Sequence, residues 1–343
     1  MDKPRGFAQK ARQEGYVMRG DLIVVFGGSG FIGRHVVKAL CKRGKRVRVP
    51  MRRPHLGADL RVLGDVGQVQ LVQANVRFPD SVTAALDGAD GVVNLIGLLS
   101  EKGKQTFIDV QAKGAAAIAD AAKARGITRF VHVSAIGADP HSKSLYGRTK
   151  ADAEAAVRAA VPTAAILRPS IVFGPEDDFF NRFADMAKFA PALPLIGGGK
   201  TKFQPVYVQD VAEAVANALD RDTAQGKVFE LGGPHIYTFK ELLDFTLKTI
   251  NRKRGYANLP FFIAQPMGAI ADAVFRFNPF ADAPLTGDQV EMLKQDNIVG
   301  ASGDKVATLA DLGVTELETI ETIVPSYLWR FRPYGQFQTK PSA

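Results

Sequence analysis

DLIVVFGGSGFIGRHVVKALCKRG, Asp21 to Gly44, decides the fold. Leu22–Phe26 is a short apolar run suited to a strand buried on both faces. Gly27, Gly30 and Gly33 follow in G-x-x-G-x-x-G spacing. Phe31–Lys42 then repeats apolar residues at helical intervals, with Ile32, Val36 and Leu40 on one side. Such a turn needs conformations and close approaches that a Cβ would obstruct. The helix N-terminus beyond it offers free N–H groups and a partial positive charge to a pyrophosphate. Gly27, Ser29, Gly30, Phe31, Ile32 and Gly33 are therefore expected to line a dinucleotide, against the simpler alternative of a tight turn with no ligand.

The same alternation continues. Arg46–Pro50, Val69–Gln73, Gly91–Gly97, Arg129–Ala135 and Thr163–Pro169 read as strands. Between them Asp80–Leu86 reads as a helix capped by Asp80, followed by Ala-rich Phe107–Arg125 and by Tyr146–Ala160. Strands alternating with helices imply right-handed βαβ units, hence an α/β fold with a doubly wound parallel sheet. Phe203–Leu219 and Gly226–Gly233 add one more strand and helix and another strand. Residues 176–200 and 236–325 read as a smaller, mainly helical lobe over the C-terminal strand edge. Residues 21–175 and 201–235 form the nucleotide-binding domain.

The second strand ends in Met51-Arg52-Arg53, where NAD sites usually place an acid for the ribose hydroxyls. Arg52 and Arg53 suit a 2′-phosphate, which favours NADP over NAD. The bland alternative is a solvated basic patch, since Lys42 to Arg53 is basic throughout. Asn75 and Val76 after the third strand are placed to meet the adenine, and Ile96 and Gly97 after the fourth to run beside the cofactor.

Tyr146 and Lys150 are four residues apart on one helix face. A nearby ammonium lowers a tyrosine pKa from its usual value near 10. Tyr146 could then exchange a proton with a carbonyl or alcohol while hydride passes to or from a nicotinamide. Ser134, at the end of the fifth strand, could hold the substrate oxygen, and Lys150 could bond the ribose. The same two side chains also suit a clamp on a cofactor that never turns over.

In order along the chain, GGSGFIG, NLIG, HVSA, YGRTK and LRPSIVFG resemble the extended or atypical short-chain dehydrogenase/reductases, over about Asp21 to Gly233. The resemblance implies a Rossmann sheet and adds Pro169 to the residues beside the cofactor. A narrower resemblance spans most of the chain: VVNLIGLL, LRPSIVFGPEDDFFNRFADM, KFQPVYVQDVAEAV and LPFFIAQPMGAIADAVFRFNPF are similar to the nucleotide-binding accessory subunits of respiratory complex I (NADH:ubiquinone oxidoreductase), the alpha-subcomplex subunit nine family. That family implies tightly held NADPH and an assembly or stability role beside the core subunits of the quinone-reducing arm and the membrane, outside the electron path. With no clear targeting peptide, the expected place is the cytoplasmic side of a bacterial inner membrane. The alternative is a free NADP-dependent reductase, dehydrogenase or epimerase using Ser134, Tyr146 and Lys150.

The 343 residues carry a formal net charge of +9, and the basic excess gathers at the ends. Residues 1–20 hold Lys3, Arg5, Lys10, Arg12 and Arg19 against Asp2 and Glu14; the tail 326–343 holds Arg330, Arg332 and Lys340 and no acid. Basic ends suit an acidic protein or lipid partner. No nucleic-acid motif accompanies them, so nucleic acid is not expected. One cysteine, Cys41, and five scattered histidines give no disulfide and no metal-ligand spacing, and no metal centre is expected. Leu259–Phe275 is broken by Gln265, Pro266 and Asp272 and is too short to span a membrane. Within it Phe262, Ile263, Met267, Ile270, Val274 and Phe275 recur at helical spacing, which fits a core-facing helix more often than a docking surface. The aromatic run Val324–Phe337 (VPSYLWRFRPYGQF) is expected to pack against a partner subunit or the membrane surface.

Overall fold

The computed structural model describes residues 21–275, 285–301, 303 and 306–335. The basic arm expected over residues 1–20 lies outside these residues, as do Phe337 and Lys340 of the tail. Seven strands form one parallel sheet: β1 (Leu22–Phe26), β2 (Arg46–Met51), β3 (Val69–Gln73), β4 (Gly91–Asn94), β5 (Phe130–Val133), β6 (Ala165–Pro169) and β7 (Val228–Leu231). Their order is β7-β6-β5-β4-β1-β2-β3. The direction of winding reverses between β1 and β4, and the crevice beyond the carboxyl ends of such strands is where doubly wound sheets bind ligands. Every residue of β1, β4 and β5 is buried, as expected for strands covered on both faces.

One face is covered by α1 (Phe31–Lys42), whose Val36, Val37 and Leu40 join a core with Val25, Val49 and Val93. On the other face lie α2 (Pro79–Ala85), α3 (Lys113–Ala124) and α4 (Leu145–Ala160), which contribute Val82, Ile118 and Val157 beside Val24 and Ile166. Two local expectations change. Asp80 is not a cap: Pro79 opens α2, and Asp80 sits in its first turn. The helix expected from Phe107 begins as a π-helical turn, Phe107–Ala112, capped by Thr106, and becomes regular only at Lys113.

The smaller lobe holds α5 (Phe180–Phe189) and, after the returning helix α6 (Val208–Asp220) of the first core, α7 (Phe239–Thr249). Two strands expected as helix or loop, Ala192–Ile196 and Gly255–Leu259, pair in parallel within the lobe. Its core is aromatic: Phe173, Phe180, Phe203 and Phe239 pack with Leu242 and Leu243. The aromatic tail does not stand free for a partner over its described part. Tyr327, Leu328 and Phe331 are buried in this same core, and the Tyr327 hydroxyl donates to Asp177. Among the described residues of the segment, Trp329 and Tyr334 are the exposed aromatics.

The expectation of a core-facing helix at 261–275 is also overturned. In α8 (Phe261–Phe275) only Ala264 and Gly268 are buried. Phe262 is 77% exposed and Ile270 65%, with Ile263, Met267 and Val274 also on the surface. The small residues face inward because α8 lies against α9 (Gly287–Met292) at backbone distance. A Cβ on Gly268 would sit 2.6 Å from the Gly287 nitrogen.

Candidate nucleotide site

The glycine turn is built as its spacing requires. Gly27 has φ +80°, and a Cβ on it would meet the Leu95 carbonyl carbon at 3.0 Å. A Cβ on Gly33 would lie 2.1 Å from the Gly27 carbonyl oxygen, so α1 can approach the turn this closely only with glycine there. Gly30 is the N-cap of α1, and no side chain among the described residues caps it. The amides of the first turn therefore remain available for an anion, an arrangement worth about 0.3–1 kcal/mol per charge from the helix dipole alone. Ser29 is half-buried at the turn, followed by Phe31 and Ile32, also half-buried. Arg52 and Arg53 follow β2 directly and are both exposed.

Other expected cofactor residues have local duties that fix their places. Asn75 uses its side-chain oxygen to accept from the Arg77 amide (3.1 Å) and its own amide to donate to Ser81 Oγ (3.0 Å). Val76 packs on α3 where Gly114 leaves room; a Cβ there would be 3.0 Å from Val76 Cγ2. The Ile96 amide donates to Asn94 Oδ1 at 3.1 Å, which ends β4 and turns the chain over the sheet edge. Pro169 is buried at the end of β6, and its carbonyl accepts from the Ile136 amide at 3.0 Å.

Tyr146, Lys150 and Gly97 come together beside β5, and Ser134 follows that strand directly. Ser144 caps α4 by accepting from the Gly147 amide at 3.1 Å, and this orients the helix that carries the pair. Lys150 Nζ donates to the Val133 carbonyl at 3.3 Å and lies 5.8 Å from the Tyr146 ring centre. A Cβ on Gly97 would come 3.3 Å from that ammonium, so glycine lets the chain after β4 pass close against Lys150. Burial lowers the Lys150 pKa to about 8. Ser134 Oγ is buried and has no hydrogen-bond partner among the described residues. A buried polar atom left this way fits a ligand hydroxyl or carbonyl placed over it.

Tyr146 departs from expectation. Its pKa is raised to about 12, first by burial and then by the carboxylate of Asp288. A lysine was expected to pull it down. Lys150 is 5.8 Å from the ring and weakened as a cation by burial, whereas Asp288 is hydrogen bonded to the first turn of the same helix. The tyrosine is held protonated at neutral pH.

Several contributors escaped sequence reading. Asp288, from α9, accepts from Ser144 Oγ (2.7 Å) and from the amides of Leu145 (2.6 Å) and Tyr146 (3.2 Å). Asn297 donates to the Ile136 carbonyl and receives the Ser170 hydroxyl, so the segment after α9 crosses the sheet edge beyond β5 and β6. His132 is fully buried, with Nδ1 3.1 Å from Asn94 Nδ2, and its pKa falls to about 3 through burial and the Lys150 charge. With the amide donating, the neutral ring carries its proton on Nε2. The signals that existed were a lone Asn and a lone His inside apolar strands, GVVN and FVHV. Asp288 had none, because its partners lie more than 140 residues away.

The turn, the uncapped helix and the unpartnered Ser134 oxygen fit a nicotinamide dinucleotide. The NAD dependent epimerase/dehydratase family matches residues 23–232. The chain belongs to this epimerase/dehydratase family. Among its relatives is the mitochondrial NADH dehydrogenase [ubiquinone] 1 alpha subcomplex subunit 9 of Arabidopsis thaliana, 41% identical over 81% of this chain and 69% of that protein. The Mus musculus protein of the same name is 36% identical over 94% of this chain and 85% of its own length. A ceramide reductase of Caulobacter vibrioides is 32% identical over 74% of this chain and 78% of that protein. The fold of this epimerase/dehydratase chain is shared with the NADPH-dependent quinone oxidoreductase QOR2 of Escherichia coli, solved with NADPH. That match has a TM-score of 0.67 and 20% identity, and covers 89% of this chain and 99% of that one.

Proposed function

We propose that the chain is an NADPH-holding accessory subunit of respiratory NADH:ubiquinone oxidoreductase. It would sit peripherally, near the quinone-reducing arm on the cytoplasmic side of a bacterial inner membrane, with a structural or assembly role outside the electron path. The observation that carries this reading is the identity to the mouse subunit over 94% of the chain, which takes in the smaller lobe as well as the nucleotide domain. A shared Rossmann fold alone would be a poor guide, because that fold hosts many functions. Arg52 and Arg53, with no acid at the end of β2, support NADPH over NADH. In this role Lys150 and Tyr146 would hold the ribose, and Ser134 would accept or donate at the nicotinamide end.

The exposed face of α8 supports attachment to a neighbouring subunit. A contiguous apolar patch of this kind marks an interaction surface. The helix carries no Lys or Arg, which an anionic headgroup surface would call for, so a core subunit is the favoured occupant. Among the described residues no helix is long and apolar enough to cross a membrane.

The intact Ser134, Tyr146 and Lys150 favour a second reading, a free NADP-dependent reductase, dehydrogenase or epimerase. The two separate in one experiment: isolation of this chain from its native membranes in mild detergent, with assay of NADH:quinone activity and identification of released nucleotide. The subunit reading expects active oxidoreductase and stoichiometric NADPH in the eluate. A lone protein with freely exchanging cofactor would sink it.

A further inference from the structure

We propose that Asp288 is a positioning residue that makes nucleotide binding and the seating of residues 285–301 a single coupled event. The inference rests on the reading that NADPH occupies the site between the glycine turn and Lys150.

Asp288 is the acceptor at the end of a short relay. Its carboxylate receives the Ser144 hydroxyl at 2.7 Å and the Leu145 and Tyr146 amides at 2.6 and 3.2 Å. Ser144 Oγ in turn accepts from Gly147. The first turn of α4 thus has its free amides satisfied by a charge from the other lobe, which also complements the helix dipole. That turn carries Tyr146, and Lys150 lies one turn further on. Both are the side chains expected on the nucleotide ribose.

The carboxylate is itself held firmly. Thr286 and Gln289 form a reciprocal cap on α9, at 3.0 and 3.3 Å. The Gly287 amide donates to Asp272 of α8 at 2.8 Å, and Gly268 allows the two backbones to meet. Downstream, Asn297 ties the same segment to Ile136 and Ser170, at the ends of β5 and β6. The segment therefore touches three of the elements that frame the site. Whatever orders α4 must favour the seated segment, and whatever seats the segment must favour an ordered α4. Such coupling is reciprocal by thermodynamic necessity. The bland alternative is a contact that only holds the lobes together, and it predicts no response to nucleotide.

The test uses the full chain, NADPH itself and amide hydrogen exchange read by peptide. NADPH is expected to slow exchange over 285–301 in the wild type. Asp288→Ala should lose that response and bind NADPH about 10-fold more weakly, a shift within the usual range of coupling between sites. Asp288→Asn, which keeps one acceptor oxygen, should recover part of both effects, and this partial rescue separates positioning from bulk stability. Tight NADPH binding to the wild type with no change at 285–301 overturns the coupling and leaves the nucleotide reading intact. Unchanged affinity in Asp288→Ala overturns it as well. Absence of NADPH binding to the wild type overturns both.

Discussion

The two halves of the site are made differently. The pyrophosphate half comes from one uninterrupted stretch, Phe26 to Gly33, in which strand, turn and helix follow within eight residues. The half over Ser134 and Tyr146 comes from separate segments, and its frame is braced by Asp288 and Asn297, 144 residues from Ser144 and 161 from Ile136. The first half is set by local steric rules that any sequence must obey to make the turn. The second is completed by long-range contacts from residues 285–301. The glycine turn is therefore a property of the domain alone, while the Tyr–Lys end of the site also answers to how residues 285–301 pack on it.

The most damaging test of the first half is Gly33→Val. Its Cβ would overlap the Gly27 carbonyl at 2.1 Å, and that atom is backbone with nowhere to move. We expect a loss of at least about 3 kcal/mol in urea denaturation, together with loss of nucleotide binding, because overpacking against backbone lies at the severe end of such changes. Wild-type stability in this variant would show that the turn relaxes and that the local half is not rigid.

A smaller effect is expected where chemistry rather than sterics decides. Arg52→Glu with Arg53→Glu should weaken NADPH by about 100-fold, on the order of one to two charge-assisted hydrogen bonds, and shift NADH by less than about 3-fold. Both side chains are exposed, so the difference should shrink as salt rises. Titrations with the two nucleotides at low and high ionic strength measure it. Equal losses for both would make the pair a general basic patch, and the preference for the 2′-phosphate would fall.

The same division explains what the sequence revealed. The parallel sheet and the glycine cradle were legible because period, turn chemistry and burial all act within a few residues, although the strand expected at the start of Phe203–Leu219 lies outside that sheet, where Val206–Tyr207 pairs with Val172–Phe173. The exposure of Phe262, Ile270 and Val274 was not, since an apolar stripe at helical spacing looks the same whether it faces a core or an absent neighbour. Only the structure shows that Ala264 and Gly268 take the inward positions. The aromatic tail failed in the opposite sense. Tyr327 and Phe331 resemble an interface composition, yet they complete a core whose other buried aromatics come from residues 173–250. Asp288 could not be recognised because an Asp after Thr-Gly reads as an ordinary helix start, and its second role depends on where that start lands.

The finest test falls on the second half and has the smallest expected effect. Tyr146→Phe removes one hydroxyl and keeps the ring that packs edge-on to Phe107 at 5.8 Å. If the pair is a clamp, the loss is one hydrogen bond to the ribose, about 0.5–1.5 kcal/mol, and NADPH should bind roughly 3- to 10-fold more weakly. Membership of the oxidoreductase and its NADH:quinone rate should not change. If the pair is a catalyst, removal of a general acid costs about 10²–10⁴ in turnover, and a rate of that kind would first have to exist. The electrostatics favour the small outcome: with burial and Asp288 raising Tyr146 to about 12, the hydroxyl is poor at giving up its proton near neutrality and well suited to donating a standing hydrogen bond. A large fall in any NADPH-dependent conversion would mean that bound nucleotide reverses that shift. The lobe that now holds the proton in place would then be holding it ready for transfer.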